Sequence, residues 1–367
     1  MIRTALIFLF NEIGLCLLKR PLYSPVFIEN EKKLRKADIA VSVSDRNWWN
    51  KRGFLSNKSM FYEKDKVGLY ISDLQRRILT ERINKFYRIV VHDKFVFYRF
   101  LSPLAQLIPV KMLVSRNGQI TSIKDDTESL NSLLNDLEQG RKYIIKPING
   151  GGGRDVEMIT YSEQVEKFAI GDRYFNAEEF KKAICNGGRA VIQPQIEPAG
   201  YSRKVYPGSL NTMRVITMID PKSNEPFVAA VSHKFGTSKI GVIDNWMQGG
   251  FLCSVNVTTG EMGAGCVYPK SKADFKLVDC HPDTQFRVNG FKIPNWESFI
   301  AQMKELALNL EFLAFLGWDV AWDGEKILVV EANYNPDMTI IQCFEPLLES
   351  TRVRRFYEHH GVIQKGN

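Results

Sequence analysis

The chain has six cysteines (Cys16, Cys185, Cys253, Cys266, Cys280 and Cys343) but no C-x-x-C pair among them. Their scatter excludes a zinc ribbon and a disulfide scaffold and points to a reducing, cytoplasmic compartment. No stretch is of low complexity, and no repeat recurs at a fixed period. Zinc-finger spacing and an RNA-recognition signature are both missing, so nucleic acid is not an expected partner. A long uninterrupted hydrophobic run is missing too. The apolar N-terminus, residues 2–20, carries Asn11 and Glu12 at its centre, too polar for a transmembrane span. It also lacks a basic start followed by a small-residue cleavage site, so it does not read as a signal peptide. Two readings remain for it. One is a helix packed on the body; the other is an interfacial helix whose Lys19 and Arg20 meet lipid headgroups at the inner membrane face.

What is present is an ordinary globular composition, 44% apolar and 25% charged over 367 residues, enough for two or three domains with a sizeable core. The formal charge of +8 suits an anionic partner such as nucleotide phosphates, an acidic sugar or a membrane surface. Oligomeric state is open, with a homo-oligomer among the options.

Residues 1–90 read as mostly helical and basic. The stretch 71–90 has apolar residues at helical spacing, with Asp73 as the expected N-cap and Arg76, Arg77, Arg82 and Lys85 on a solvated face. A second helix is expected over 127–139, and a short strand over 141–148. From 190 to 335 the β-branched and alternating runs AVIQPQI, MRVITMID, FVAAVSHKF and KILVVEAN read as strands. A long helix is expected over 296–315, stopping at Gly317, and another after Pro346, with Arg352, Arg354 and Arg355. Strands and helices mix without strict βαβ alternation, so the expected class is α+β.

The stretch ILVVEANYNPDMT, 327–339, ends an apolar run on Glu331, followed by Asn333 and Asn335-Pro336-Asp337. Upstream, Asp319 lies on the far side of Asp323-Gly324, a hairpin signal. A hairpin brings Asp319 and Glu331 onto adjacent antiparallel strands, with Asn333 on the face of Glu331. Two carboxylates and an amide are hard oxygen ligands suited to Mg²⁺. The plainer reading is a turn rich in Asp and Asn.

The stretch YIIKPINGGGGRDV, 143–156, places Lys146 at the end of a strand and Gly150, Gly151, Gly152 and Gly153 after it. No Gly-Lys-Ser/Thr follows, which excludes a Walker A loop. The glycines let backbone approach an anion, as a loop closing over phosphates does; a flexible surface hairpin is the alternative. Lys94 falls at a probable helix start and would add to the same charge. In 231–251, His233, Lys234, Asp244 and Asn245 form either a loop orienting a second substrate or a plain polar-tipped hairpin. His233 alone reads as a structural histidine. Tyr201, Arg203 and Lys204 are candidates to grip a sugar acid, or simply exposed.

The set DK (93–94), IIKPINGGGG (144–153), VIQPQI (191–196), NTMRV (211–215), GWDV (317–320) and VVEANYNPDMT (329–339) resembles the ATP-grasp superfamily over roughly 90–345. Its order and spacing are those of the carboxylate–amine ligases. SLNTMRVIT, IDNWMQGGF, VTTG and GWDVAW with EANYNPD look like the sugar-transfer-associated group, which goes with polysaccharide biosynthesis. The resemblance implies two α+β subdomains clamping ATP, a small lid subdomain over 91–192 and a large one over 193–345, between the N-terminal region 1–90 and a C-terminal helix over 346–367.

It further implies that Lys94 and Lys146 hold the α- and β-phosphates and that Gly150–Gly153 cover them. Gln193, Pro194, Gln195 and Ile196 would form the adenine hinge. Asp319, Glu331 and Asn333 would bind two Mg²⁺ ions, and Arg214 would touch the γ-phosphate or acyl phosphate. D-alanine ligases carry an arginine where this chain has Gly317, so oxyanion stabilisation would fall to Arg214 or Lys234. The ribose contact would come from Glu197 or Asn211. The implied reaction is amide formation through an acyl phosphate, joining an amino acid to a uronic-acid carboxylate or another small or sugar-linked carboxylate. Two other readings are an ATP-grasp kinase acting on a sugar and a non-catalytic ATP-binding partner of a glycosyltransferase complex.

Overall fold

The computed structural model describes residues 25–37, 39–115, 120–122, 130–148 and 156–364. The apolar segment 2–20 and Gly150–Gly153 lie outside the described residues. The first sheet contains β1 (Met112–Val114), β2 (Ile120–Ser122), β3 (Tyr143–Pro147), β4 (Glu157–Ser162), β5 (Lys167–Ile170), β6 (Arg173–Phe175) and β7 (Ala190–Pro194). Their spatial order is β2-β1-β7-β3-β4-β5-β6. The second contains β8 (Met213–Ile219), β9 (Pro226–Phe235), β10 (Phe251–Val255), β11 (Met262–Val267), β12 (Phe315–Trp322) and β13 (Ile327–Asn333), in the order β11-β10-β9-β8-β12-β13. Every paired neighbour in both sheets is antiparallel, as expected of an α+β chain without βαβ alternation.

Strand alternation sends the side chains of the second sheet into two helical layers. Val215, Val231, Trp318 and Val320 pack against Phe299, Met303 and Leu306 of the helix Trp296–Leu308. Ile216, Met218, Phe227 and Phe315 instead meet Trp49, Phe61 and Tyr62 of the N-terminal region and Phe356 and Tyr357 of the C-terminal helix Thr351–His359. The described residues of the N-terminal region, from Pro25 on, are mostly helical, as expected, and they cover a face that would otherwise be exposed sheet. In the first sheet Met112, Tyr143, Ile159 and Ile192 pack on Leu133 and Leu137 of the helix Leu130–Glu138 and Phe180 of the helix Ala177–Asn186. The segment between the sheets is tied to both: Val329 N–H donates to Gln106 C=O, and Lys111 N–H donates to Ile192 C=O. No helix among the described residues is long and apolar enough to cross a membrane.

Several local expectations need correction. The stretch 71–90 is not one helix but Asp73–Ile78, two short 3-10 turns and Ile89–His92. Its N-cap is Ser72, which forms a capping box with Gln75. Asp73 sits inside the first turn, buried, where it meets Lys58 at 3.2 Å and accepts from Leu55 N–H. Arg76 is not on a solvated face; its guanidinium turns inward onto the loop after β13. The long helix ends at Leu308 rather than near Gly317, with Asn309 as C-cap. Its last apolar run, from Phe315, enters β12, and Gly317 is mid-strand. Periodicity does not separate a fully buried strand from the end of a helix. The Asp-Gly hairpin is present, but its loop is Asp323–Lys326, since Trp322 pairs with Ile327.

Candidate active site

Three neighbouring strands place the central charges. In register across β8, β12 and β13, Arg214 lies opposite Asp319, and Asp319 lies opposite Glu331. The register shifts between Asp319 and Val320, a bulge at the point where the carboxylates face each other. Arg214 grips Asp319 in a fork: Nε donates to Oδ1 at 2.9 Å and Nη2 to Oδ2 at 3.0 Å. Lys234, from β9, adds its Nζ 3.0 Å from Asp319 Oδ1 and stands 3.7 Å from Asp244. Asp244 is itself oriented, accepting at Oδ2 from Thr212 N–H and Oγ1, both at 2.6 Å.

Burial by itself would raise the Asp319 pKa, but the Arg214 guanidinium and the Lys234 ammonium hold its carboxyl well below the usual range. Glu331 goes the other way. Burial, then the charge of Asp319, push it up against the pull of Lys94 and Arg214. Asn333 Nδ2 is 3.4 Å from Glu331 Oε1, on the same strand face. The first sheet brings the opposing charge. Lys146 is pushed down by burial and, more weakly, by Lys94, while Glu331, Asp244 and Asp319 pull it up. These five groups, drawn from both sheets and the helix start at Lys94, therefore lie near one another. Lys94 is brought there by its helix start, capped by Asp93, and by a backbone bond from Lys94 N–H to Ile148 C=O, at the end of the strand that carries Lys146.

The donor set suits a hard divalent cation. Asp319 and Glu331 are close enough for one to hydrogen-bond to the other, and a cation between them relieves the repulsion that raises Glu331. Asp319 also serves Arg214 and Lys234, which leaves Glu331 and Asn333 the more open ligands. Among the described residues no group of three or more His, Cys, Asp or Glu could hold a metal ion by itself.

The other expected residues divide. Gln193 is buried in β7 with its amide donating to Ile108 C=O at 2.8 Å, so only its backbone is available to a hinge. The chain leaves the sheet at Pro194, and Gln195 N–H donates to Lys142 C=O. Ile196 is half-buried, and Glu197 is exposed, 3.6 Å from Arg203. Asn211 is a correction. Its Nδ2 donates to Ser202 C=O and Tyr206 C=O, and its Oδ1 accepts from Ser209 Oγ and Gly236 N–H. Those bonds hold a left-handed turn, φ 57°, and leave no side-chain group to offer a ribose. Tyr201 is buried, not exposed, and its hydroxyl lies 2.8 Å from His233 Nε2. His233 is stacked on Phe235 and, driven by burial, has its pKa lowered to about 3; it is a neutral scaffold histidine.

Sequence reasoning missed the brace behind β13. Arg76 Nη1 donates to Asn335 C=O at 3.0 Å and lies 3.4 Å from Pro336 C=O, while Thr80 Oγ1 donates to Asn335 Oδ1 at 3.3 Å. Gln342 bonds the backbone of Ile71 through both its amide atoms. The capping box at 72–75 was the available signal that this turn is fixed.

Two antiparallel sheets, one offering lysine and the other paired carboxylates, form the architecture of an ATP-grasp protein. Residues 74–352 match the family described as sugar-transfer associated ATP-grasp, and the chain belongs to that family. Among solved structures it is similar to an N5-carboxyaminoimidazole ribonucleotide synthetase in complex with ADP, at 14% identity and TM-score 0.39, over 72% of this chain and 52% of that one. It is also similar to the D-alanine–D-alanine ligase from Helicobacter pylori (13%, TM-score 0.39, 78% and 70%) and to a D-cycloserine synthetase (13%, TM-score 0.36, 74% and 70%). The chain spans about half the length of the first of these, and likenesses this distant add nothing to the family assignment. No curated protein sequence matches the chain.

Proposed function

We propose that the protein is an ATP-dependent carboxylate–amine ligase that joins an amino acid to a uronic-acid carboxylate in polysaccharide assembly. The observation that carries this reading is the register Arg214–Asp319–Glu331 across three strands, with Lys146 of the other sheet close enough to feel Glu331 and Asp319. A substrate carboxylate oxygen attacks the γ-phosphorus of ATP, the bond to the β–γ bridging oxygen breaks, and ADP leaves. The amine then attacks the acyl carbon, phosphate departs, and the amine proton is lost as the amide forms. Both steps need positioning and charge neutralisation more than covalent help from the protein.

Lys94 and Lys146 neutralise the α- and β-phosphates, and Gly150–Gly153 shield them from water, which would otherwise hydrolyse the acyl phosphate. The backbone of Gln193–Ile196 reads the adenine edge, and Glu197 takes the ribose. Asp319, Glu331 and Asn333 would hold two Mg²⁺ ions, which when bound neutralise and orient the phosphate oxygens. Arg214, fixed in place by its fork to Asp319, supplies the oxyanion charge that Gly317 does not, and Lys234 supports it from the neighbouring strand.

The test is ADP release over a grid of uronic acids against amino acids, with and without Mg²⁺. The expected result is ADP together with an amide, formed only when carboxylate, amine and Mg²⁺ are all present. A stable phosphorylated sugar formed without an amine would make the protein a kinase, and ATP binding with no ADP release in any combination would make it a non-catalytic ATP-binding partner.

A further inference from the structure

A groove of about 600 Å³ opens beside the candidate site, where Tyr334 forms one wall and the segment from Glu81 to His92 the other. Both walls adjoin candidate site residues in sequence. Tyr334 directly follows Asn333, and His92 lies two residues ahead of Lys94. The helix Ile89–His92 packs on β13, and the His92 ring meets Tyr334 edge-on with centroids 5.7 Å apart. The groove therefore lies alongside the segments that carry Asn333 and Lys94.

The lining has a definite chemistry. Arg82, Lys85 and Arg88 face a single carboxylate, Glu81, which pairs with Arg88 at 2.9 Å. The same Arg88 guanidinium stands over the Tyr334 ring at 5.8 Å. Lys85 has φ 47°, a backbone conformation that lysine rarely adopts, and it turns Phe86 outward until that ring is 81% exposed. Phe86 is not isolated. Its ring leads to Tyr87 at 6.3 Å, Tyr87 to Phe312 at 5.2 Å, and Phe312 to Phe100 at 5.9 Å. A run of rings exposed at Phe86, Tyr87 and Phe100 and anchored through the half-buried Phe312, beside a net positive groove, marks a binding face. Flat rings accept the apolar faces of pyranoses, and guanidinium groups accept carboxylates.

We propose that this groove seats the acidic saccharide that carries the reacting carboxylate, with Arg82, Lys85 and Arg88 holding anionic groups and Phe86 and Tyr334 holding sugar faces. The inference rests on the ligase reading and sharpens it: the carboxylate substrate is an oligosaccharide with more than one acidic residue, because the ring track extends past the groove. A concave groove lined by cationic side chains favours an acidic saccharide over a membrane surface, which would need a convex apolar face.

The test uses the full chain and calorimetric titration with oligoglucuronate, oligogalacturonate and oligomannuronate of three to five residues, each against a neutral oligosaccharide of equal length. At least one acidic oligomer is expected to bind at least tenfold more tightly than its neutral counterpart. The double substitution Phe86→Ala and Arg88→Gln is expected to weaken it at least tenfold, with an unchanged far-ultraviolet spectrum and cooperative melting as evidence of folding. Equal binding of neutral and acidic oligomers, full competition by equimolar inorganic phosphate, or no binding of any acidic oligomer would each overturn the proposal. Sedimentation with vesicles containing phosphatidylglycerol, without saccharide binding, would assign the surface to lipid instead and equally overturn it. ATP affinity of the unsubstituted protein separates the two readings: ATP binding without saccharide binding sinks the groove alone, whereas no ATP binding sinks the ligase.

Discussion

The ring of Pro336 occupies the space that a side chain on Gly317 would need: an ideal Cβ there stands 2.4 Å from Pro336 Cβ and 2.8 Å from its Cγ. Gly317 pairs with Ile216 and Asn333 in the middle of the sheet, so the strand has no freedom to move aside. The glycine is thus a packing requirement of the loop Asn335-Pro336-Asp337. Gly317→Ala is expected to destabilise the protein by about 1–3 kcal/mol in denaturant unfolding, as over-packed buried sites do. Gly317→Arg, despite matching the ligases it resembles, is expected to lower ADP release rather than raise it.

Arg76 fixes the same loop from outside the sheet. Although burial opposes the charge of Asp337, Arg76 and Lys58 hold its carboxyl well below the usual range. Substituting Arg76→Gln leaves carbonyl oxygens of the loop without a charged donor and is expected to cost about 1–3 kcal/mol. Because the loop follows Glu331 and Asn333, the Mg²⁺ concentration for half-maximal ADP release should rise several-fold, and Arg76→Lys should recover part of it. An unchanged Mg²⁺ requirement with lowered stability would leave Arg76 a scaffold role only.

Glu331 separates binding from folding. Its pKa in the folded protein is raised by burial and by Asp319, so its ionisation on going to neutral pH costs stability. Glu331→Gln removes that cost, and its melting temperature without Mg²⁺ is expected to equal or exceed that of the parent. The parent should gain stability on adding Mg²⁺ with ADP, by mass action on the folded state. The variant should lose that gain together with ADP release. A variant that folds and still ligates at the parent rate would remove the carboxylate pair from the scheme.

Part of the acid sensitivity should trace to a site far from the chemistry. Burial opposes the charge of Asp220, yet the Lys222 N–H and the Arg355 and Arg352 guanidiniums lower its pKa to about 2. A depressed carboxylate stabilises the fold above its unfolded pKa, 3.8, and that contribution is lost as pH falls toward 2. Both arginines lie on the helix Thr351–His359, so Asp220 ties that helix to the end of β8. Asp220→Asn is expected to lower the melting temperature at pH 7 and to flatten its decline between pH 4 and pH 2. A decline as steep as the parent's would assign acid lability elsewhere.

The strands were readable because β-branched alternation and turn residues act locally. MRVITMID, FVAAVSHKF and KILVVEAN became β8, β9 and β13, and the Asp323-Gly324 turn made β12 and β13 partners. The stretch 71–90 misled because its apolar spacing is helical, while Asp73, Asn84 and Arg76 are drawn into tertiary bonds that break the helix. Asn84, for example, bonds the backbone of Phe315 through both amide atoms. The run ending at Gly317 misled for the same reason: burial in a sheet overrides helical spacing.

The linear order of residues was enough to select the residue types of the site and the hairpin that joins Asp319 to Glu331, because strand alternation and turn preference depend on near neighbours. Only the tertiary structure decided which strand stands beside β12. That choice made Arg214 the partner of Asp319, used up Asn211 in a turn and closed Gly317 with Pro336. Each of these depends on contacts between segments far apart in the chain, set by which faces the two helical layers cover, and no local pattern encodes them.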